Sequence, residues 1–246
     1  MVDRTAKFAI IVAAGFGFAA AVLACAPTPP RQAAQESSHT MLTPQEREAG
    51  WKPLFDGKTT AGWRGYRSKT MPAGWQVIDG ALTRVDSAGD IVTTDKYANF
   101  ELALEWKVAE GGNSGIFYRV GEDADYPWRT GLEMQVLDDA KHPDGRSPLT
   151  SAGSLFAIYP APRGVVRPAG EWNRVRIVVN GHHVEHWLNG VKVVDAELGS
   201  PDWESRVKQS KFATMPGYGK NDTGYIGLQD HGDRVAYRNI RIRTLP

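Results

Sequence analysis

The chain has 246 residues, 41% of them hydrophobic and 23% charged, with a formal net charge of +1, which is enough for one large β domain or two small domains. The near-neutral balance, without a run of Lys or Arg, gives no electrostatic footprint for nucleic acid or any other polyanion. Eight Trp and eight Tyr suit a sugar-stacking surface and a β core equally.

In chain order, Arg4 and Lys7 precede a largely apolar run, Phe8 to Ala24, that ends at the single cysteine, Cys25. This is the pattern of an export signal, and Val22-Leu23-Ala24-Cys25 resembles a bacterial lipobox. Residues 1–25 are therefore expected to be a lipoprotein-type signal peptide, cleaved before Cys25. A lipid on that cysteine would hold the protein to the bacterial cell envelope, on the periplasmic side or the outer membrane. A single transmembrane anchor is the alternative, but the run is short for a hydrocarbon core of roughly 30 Å. A lone cysteine placed there leaves the exported domain without a disulfide, a thiol nucleophile or a Cys-based metal site. Residues 26–45, APTPPRQAAQESSHTMLTPQ, hold too little apolar surface to pack and are expected to be a disordered tether. The folded domain is expected over 46–246.

Strand-like segments then recur between turn residues: Trp75 to Ile78, Ala81 to Arg84, Asp90 to Thr93, Phe100 to Val108, Ser114 to Val120 and Leu132 to Leu137. Leu155 to Ile158, Trp172 to Val179, His183 to Leu188, Val191 to Asp195, Tyr225 to Leu228 and Ala236 to Arg243 complete the set. Asp79-Gly80, Asn180-Gly181 and Asn189-Gly190 predict hairpins, because these pairs readily adopt the positive φ angles of a type I′ turn. Only Trp203 to Lys211 reads as a short helix, with Ser200-Pro201-Asp202 as its start signal. About a dozen strands without a blade-length repeat predict an all-β jelly-roll sandwich of two antiparallel sheets.

The segments LFDGKTTAGW, GDIVTTDKYANFELALEWKV, GGNSGIFYRV, GLEMQVLDD, EWNRVRIVVNG, HWLNGVKVV and GYIGLQDHG, closing with YRNIRIR, resemble the 3-keto-disaccharide hydrolase domain family in the family's own order, over Trp51 to Arg243. The resemblance implies a concanavalin A-like lectin/glucanase fold, in agreement with the strand count. It also implies a carbohydrate partner and work on 3-ketoglycosides outside the cytoplasm, by hydrolysis or by elimination across C1 and C2.

The second central segment places Leu132, Met134 and Val136 on one strand face and Glu133 and Gln135 on the other. Side chains two apart on a strand are rooted roughly 6.6 to 7 Å apart, so Glu133 and Gln135 can reach one sugar-sized ligand. Glu133, Gln135 and Asp138 resemble in spacing the E-x-D-x-x-E strand of retaining β-glucanases. Those enzymes need two carboxylates about 5 to 5.5 Å apart, whereas here the middle acid is an amide, and Asp138 joins Glu133 only through a bulge. Ordinary glucanase activity is therefore not expected.

A C3 ketone acidifies the C2 hydrogen and opens elimination, which needs one base, a group to hold the enolate oxygen and a donor for the leaving group. Glu133 or His231 is the candidate base. Arg119 is the candidate enolate stabiliser, its alternative being a surface ion pair with Glu122 or Asp123. Gln229 and Asp230 beside His231, together with His142, Asn113 and Ser114, are candidate substrate contacts. Tyr118, Trp128 and Tyr126 are candidate stacking platforms. Trp63, Trp75, Trp106, Trp172 and Trp187 read as core, and His182, His183 and His186 as surface or cross-strand residues. A divalent metal such as calcium is compatible with the polar loops, but no contiguous Asp loop of the EF-hand kind assigns it a site. The competing reading is a non-catalytic, lectin-like carbohydrate-binding lipoprotein, which needs hydroxyl-binding amides and a stacked aromatic but no convergence of acid, base and cation.

Overall fold

The computed structural model describes residues 42–246. The expected signal peptide, Cys25 and the tether up to residue 41 lie outside the described residues. A short helix, α1 (Pro44–Glu48), begins inside the stretch read as tether. Thr43 caps it by accepting from the Glu46 backbone N–H while the Glu46 carboxylate accepts from the Thr43 N–H, the reciprocal pairing of a capping box.

Thirteen strands follow in chain order: β1 (Lys52–Pro53), β2 (Trp63–Gly65), β3 (Trp75–Ile78), β4 (Ala81–Arg84), β5 (Ile91–Tyr97), β6 (Phe100–Val108), β7 (Asn113–Val120), β8 (Leu132–Leu137), β9 (Asn173–Asn180), β10 (His183–Leu188), β11 (Val191–Glu197), β12 (Gly224–Leu228) and β13 (Val235–Thr244). The helix α2 (Pro201–Gln209) lies between β11 and β12 and is capped by Ser200 Oγ, which accepts from the Trp203 N–H. One sheet has eight strands, ordered β11-β10-β9-β6-β13-β4-β3, with β1 also paired to β13. The other has five, ordered β2-β5-β12-β7-β8. Every named pairing is antiparallel. The architecture is the expected all-β sandwich.

The period of two explains the packing. Along β6, Leu102, Leu104, Trp106 and Val108 enter the core, facing Ile116 and Tyr118 of β7 and Leu132, Met134 and Val136 of β8 across the sandwich. Burying each such side chain contributes roughly 1.5–3 kcal/mol. The expected strand at Leu155 to Ile158 is instead a turn: Leu155 makes only isolated bridges to Met134 and Tyr159, and Ala157 has φ 59. This turn covers the free edge of β8, with the Gln135 N–H donating to Ser154 O and the Phe156 N–H to Glu133 O.

Asp79-Gly80 and Asn189-Gly190 form two-residue turns with both φ values positive, 51 and 74, and 50 and 86. At the third hairpin the register pairs Asn180 with His183, so the turn residues are Gly181 and His182, and only Gly181 takes a positive φ. Trp63, Trp75 and Trp106 are buried. Trp172 and Trp187, read as core, lie instead on the outer face of the eight-stranded sheet, under Arg238 and Lys107 and under Arg176 respectively. His186 corrects the other way: it is fully buried, held between Tyr118 OH at 2.9 Å and Gly153 O at 3.1 Å.

Candidate active site

The site is built on the outer face of the five-stranded sheet, opposite the core. Glu133 of β8 pairs with Phe117 of β7, and Phe117 with Gly227 of β12 and so to Val92 of β5. One step along, Gln135 pairs with Gly115, Gly115 O accepts from the Gln229 N–H, and continuing the β12–β5 register sets Gln229 beside Asp90. Asp90 O in turn accepts from the Tyr66 N–H. Gln135, Gly115, Gln229 and Asp90 thus form a row across four adjacent chains, each step about 4.8 Å. Asp90 and Gln229, with Tyr66, Tyr126, Trp128 and His231, line a groove of about 620 Å³.

Gly115 is what lets the row close. A Cβ at this position would sit 2.2 Å from Glu133 Oε1, so the Glu133 carboxyl occupies the space where any other residue would place its side chain. The smallness required at Gly115 therefore comes from the acid on the neighbouring strand, whereas Gly112 is confined by Val108 and Ala109.

Glu133 is 5% exposed. Burial pushes its carboxyl up to about 8; Lys211 pulls it down, while Asp90 and Asp144 push it further up. Asp90 is raised to about 6, again by burial first, with the Asp230 N–H hydrogen bond opposing and the Asp230 charge reinforcing the rise. Around these acids lie three buried amide oxygens without a hydrogen-bond partner: Asn113 Oδ1, Gln135 Oε1 and Gln229 Oε1. Buried acceptors are ordinarily satisfied, so these point to a ligand rich in hydroxyl donors.

The structure brings Glu133, Gln135, Gln229 and Asn113 to one sheet face, and His231 to the groove rim beside His142, the two rings 6.3 Å apart at 82°. His142 Nδ1 accepts from the Asp144 N–H and caps a 3-10 turn over Pro143–Arg146. Trp128 is half-buried in the groove wall, and Tyr126 stacks on it at 5.3 Å.

Other candidates are placed elsewhere. Arg119 has φ 54, and a bulge shifts the register between Phe117 and Val120. The alternation therefore fails at Arg119, whose Nη2 donates to Gly181 O of the β9–β10 turn at 2.6 Å. It neither faces Glu133 nor pairs with Glu122, which is held by Arg64 at 2.7 Å. Tyr118 is fully buried against His186 and offers no stacking face. Ser114 Oγ bonds Gln229 O and Tyr237 OH, both at 2.7 Å, and so ties the sheets together. Asp138 accepts from the Gly111 and Ala140 N–H groups, organising a turn. Asp230 lines the groove, but its carboxylate is filled by the Ala88, Gly89 and Gly232 N–H groups and by Arg84 Nε; burial raises it, and these bonds together hold it below the usual range. Asp90 and Lys211 carry no sequence signal that would single them out, since their neighbours are distant in the chain.

Among the described residues one group of three metal-ligand types converges, His183, Glu185 and Asp195. It lies on β10 and β11 of the other sheet, and Lys192 is ion-paired with both of its acids. No metal is assigned there.

A family model for 3-keto-alpha-glucoside-1,2-lyase-like domains matches residues 50–243. A 3-keto-disaccharide hydrolase of Bacteroides thetaiotaomicron is 36% identical over 228 residues, 80% of this chain and 79% of that protein. A solved Parabacteroides distasonis structure, a candidate glycosyl hydrolase, is 36% identical with a TM-score of 0.78, covering 84% of this chain and 99% of that one. A Bacillus subtilis protein with a galectin-like fold, 15% identical with a TM-score of 0.52 over 79% of this chain and 94% of its own, shares the fold alone. With the match running from just before the first strand to the penultimate residue of the last, this chain belongs to the 3-keto-alpha-glucoside-1,2-lyase-like domain family.

Proposed function

We propose that this domain cleaves the glycosidic bond of 3-ketoglycosides by elimination across C1 and C2, hydrolysis being completed when water adds to the product. The observation that carries this reading is the pair of carboxyls pushed apart on one sheet face, Glu133 to about 8 and Asp90 to about 6. At neutral pH the first keeps its proton and the second is ionised, the division of labour expected of an acid and a base. Asp90 takes the proton from C2, and the electron pair passes into the C2–C3 bond as an enolate. The enolate then collapses to restore the C3 ketone and form the C1–C2 double bond, while the C1–O bond breaks and Glu133 gives its proton to the departing oxygen. Glu133 is thus the acid of this scheme and not the base that its position in the sequence suggests.

The unpaired oxygens of Asn113, Gln135 and Gln229 suit the hydroxyls that remain on the sugar, and the Tyr126–Trp128 stack suits the apolar face of an aglycone or second ring. The family name and the named activity of the Bacteroides relative agree with this substrate class. The same reading keeps the protein as a lipid-anchored component of the cell envelope. Cys25→Ser should then release a folded domain from membranes, and persistence in the membrane fraction would refute the anchor.

Incubation with methyl 3-ketoglucoside, followed by NMR of the products, tests the function. Release of methanol, with methyl glucoside left intact, is expected. Saturable binding of the keto sugar without turnover would instead make the domain a lectin-like module.

A further inference from the structure

We propose that Lys211 is the cation that receives the charge on the C3 oxygen of the substrate, the role that the sequence pattern gives to Arg119; this rests on the 3-ketoglycoside reading above. The backbone of Lys211 is held firmly. It follows Ser210, the last cap of α2, whose Oγ accepts from the Phe212 N–H. Phe212 is 1% exposed and stacks on Tyr218 at 3.9 Å, and Tyr218 stacks on Trp203 of α2.

From this anchor the Lys211 ammonium lies 4.2 Å from the Phe156 ring centroid, 5.2 Å from Phe212 and 5.9 Å from Trp128. Trp128 is groove wall, and the Phe156 N–H is bonded to the backbone of Glu133. The ammonium is therefore near the groove wall and close enough to the buried acid for their charges to interact. Among the described residues it makes no salt bridge, although the carboxyls of Glu133 and Asp144 are close enough to act on it. Ring faces hold a cation by their quadrupole without neutralising it and leave its N–H donors free. An exposed, unpaired ammonium held beside the groove-wall Trp128 is available to an oxygen that gains charge during reaction.

The substrate's chemistry selects the same position. The three unpaired amide oxygens of this face are acceptors and match hydroxyl donors, but a ketone oxygen donates nothing and needs a donor. Arg119 is turned away and bonded to Gly181. Lys211 supplies both the donor and the charge.

The test compares Lys211→Met and Lys211→Arg. On methyl 3-ketoglucoside the Met variant should lose about 100-fold or more in kcat with KM changed only a few-fold, as for removal of an oxyanion donor, and should lose exchange of the C2 hydrogen. The Arg variant should recover at least about tenfold of that loss because it keeps the charge. In the ligand-free protein, ¹³C titration of the Glu133 carboxyl should move upward in the Met variant and much less in the Arg variant, a shift that a purely structural role would not produce. Near-wild-type turnover by the Met variant overturns the proposal, as does an equal loss in both variants with the Glu133 titration unmoved. If the wild-type protein leaves every 3-ketoglycoside untouched, the parent reading and the ketone role fall together, whereas an active wild type with an active Met variant removes Lys211 alone.

Discussion

The outer faces of the two sheets use their buried acids in opposite ways. On the eight-stranded sheet, Glu101 is held between Arg176 at 3.0 Å and Arg243 Nε at 2.7 Å, and Glu105 between Arg174 and Arg238. Trp172 and Trp187 are covered there by guanidinium and ammonium groups. On the five-stranded sheet, Glu133 and Asp90 make no salt bridge among the described residues, and three amide oxygens have no partner. Satisfied charges hold a surface in place; unsatisfied ones, kept in a low-dielectric setting, are groups still waiting for a ligand. The difference between the faces is what marks the active one.

The largest expected effect that can break this comparison is on turnover. Glu133→Gln should lower kcat on a 3-ketoglycoside by at least about 100-fold while circular dichroism and melting stay native-like, since the amide fits the same cavity. Unchanged turnover would remove Glu133 from the chemistry. Gly115→Ala should follow closely, because its methyl group would overlap the carboxyl at 2.2 Å; a loss of about tenfold or more in activity, with about 1–3 kcal/mol of overpacking strain, is the expected pair of readings. On the other sheet the pattern should invert. Glu101→Gln should cost about 2 kcal/mol, seen as a lowered Tm, by weakening charge-assisted bonds to Arg176 and Arg243, and should leave kcat unaltered.

The smallest effect is on the pH dependence of stability. Glu133 is raised from 4.5 to about 8 in the folded protein, so the native state holds one more proton than the unfolded state between those values. Its contribution is fully present below about pH 4.5 and is lost as pH rises through 8. Asp90, raised to about 6, adds the same sign at lower pH, and His186, lowered by burial to about 4, adds the opposite sign up to 6.5. The interval from pH 6.5 to 8 therefore isolates Glu133. Wild-type Tm should fall there more steeply than that of Glu133→Gln, and parallel curves would show that the acid is not buried in its protonated form.

The fold was legible because it is written in local alternation. Eleven of the strands, β3 to β13, match segments read from the sequence, and Ser200-Pro201-Asp202 marks α2. The Thr43-x-x-Glu46 spacing likewise marks the capping box of α1, although the Pro-rich composition before it is that of a tether. Strand β8 displays Glu133 and Gln135 together for the same reason. What alternation does not reveal is which chains lie beside one another. Asp90 is 43 positions from Glu133 and Lys211 is 78 positions beyond it, so only the sheet order and the α2 extension bring them near. Alternation also misleads where it is interrupted. A regular β7 would aim Arg119 at the site, but the positive φ at that residue turns its guanidinium toward the opposite sheet. The same strand sends Tyr118 inward, where the buried His186 receives its hydroxyl.

The most direct test of the account is the fate of the C2 hydrogen. The protein should be incubated in deuterated water with methyl 3-ketoglucoside and, separately, with the unoxidised glucoside and an unoxidised disaccharide, each followed by NMR. Deuterium should enter at C2 of the keto sugar together with cleavage of its glycosidic bond, and the unoxidised sugars should not change. Efficient cleavage of the unoxidised disaccharide without C2 exchange would contradict it and assign the groove to conventional glycosidase chemistry.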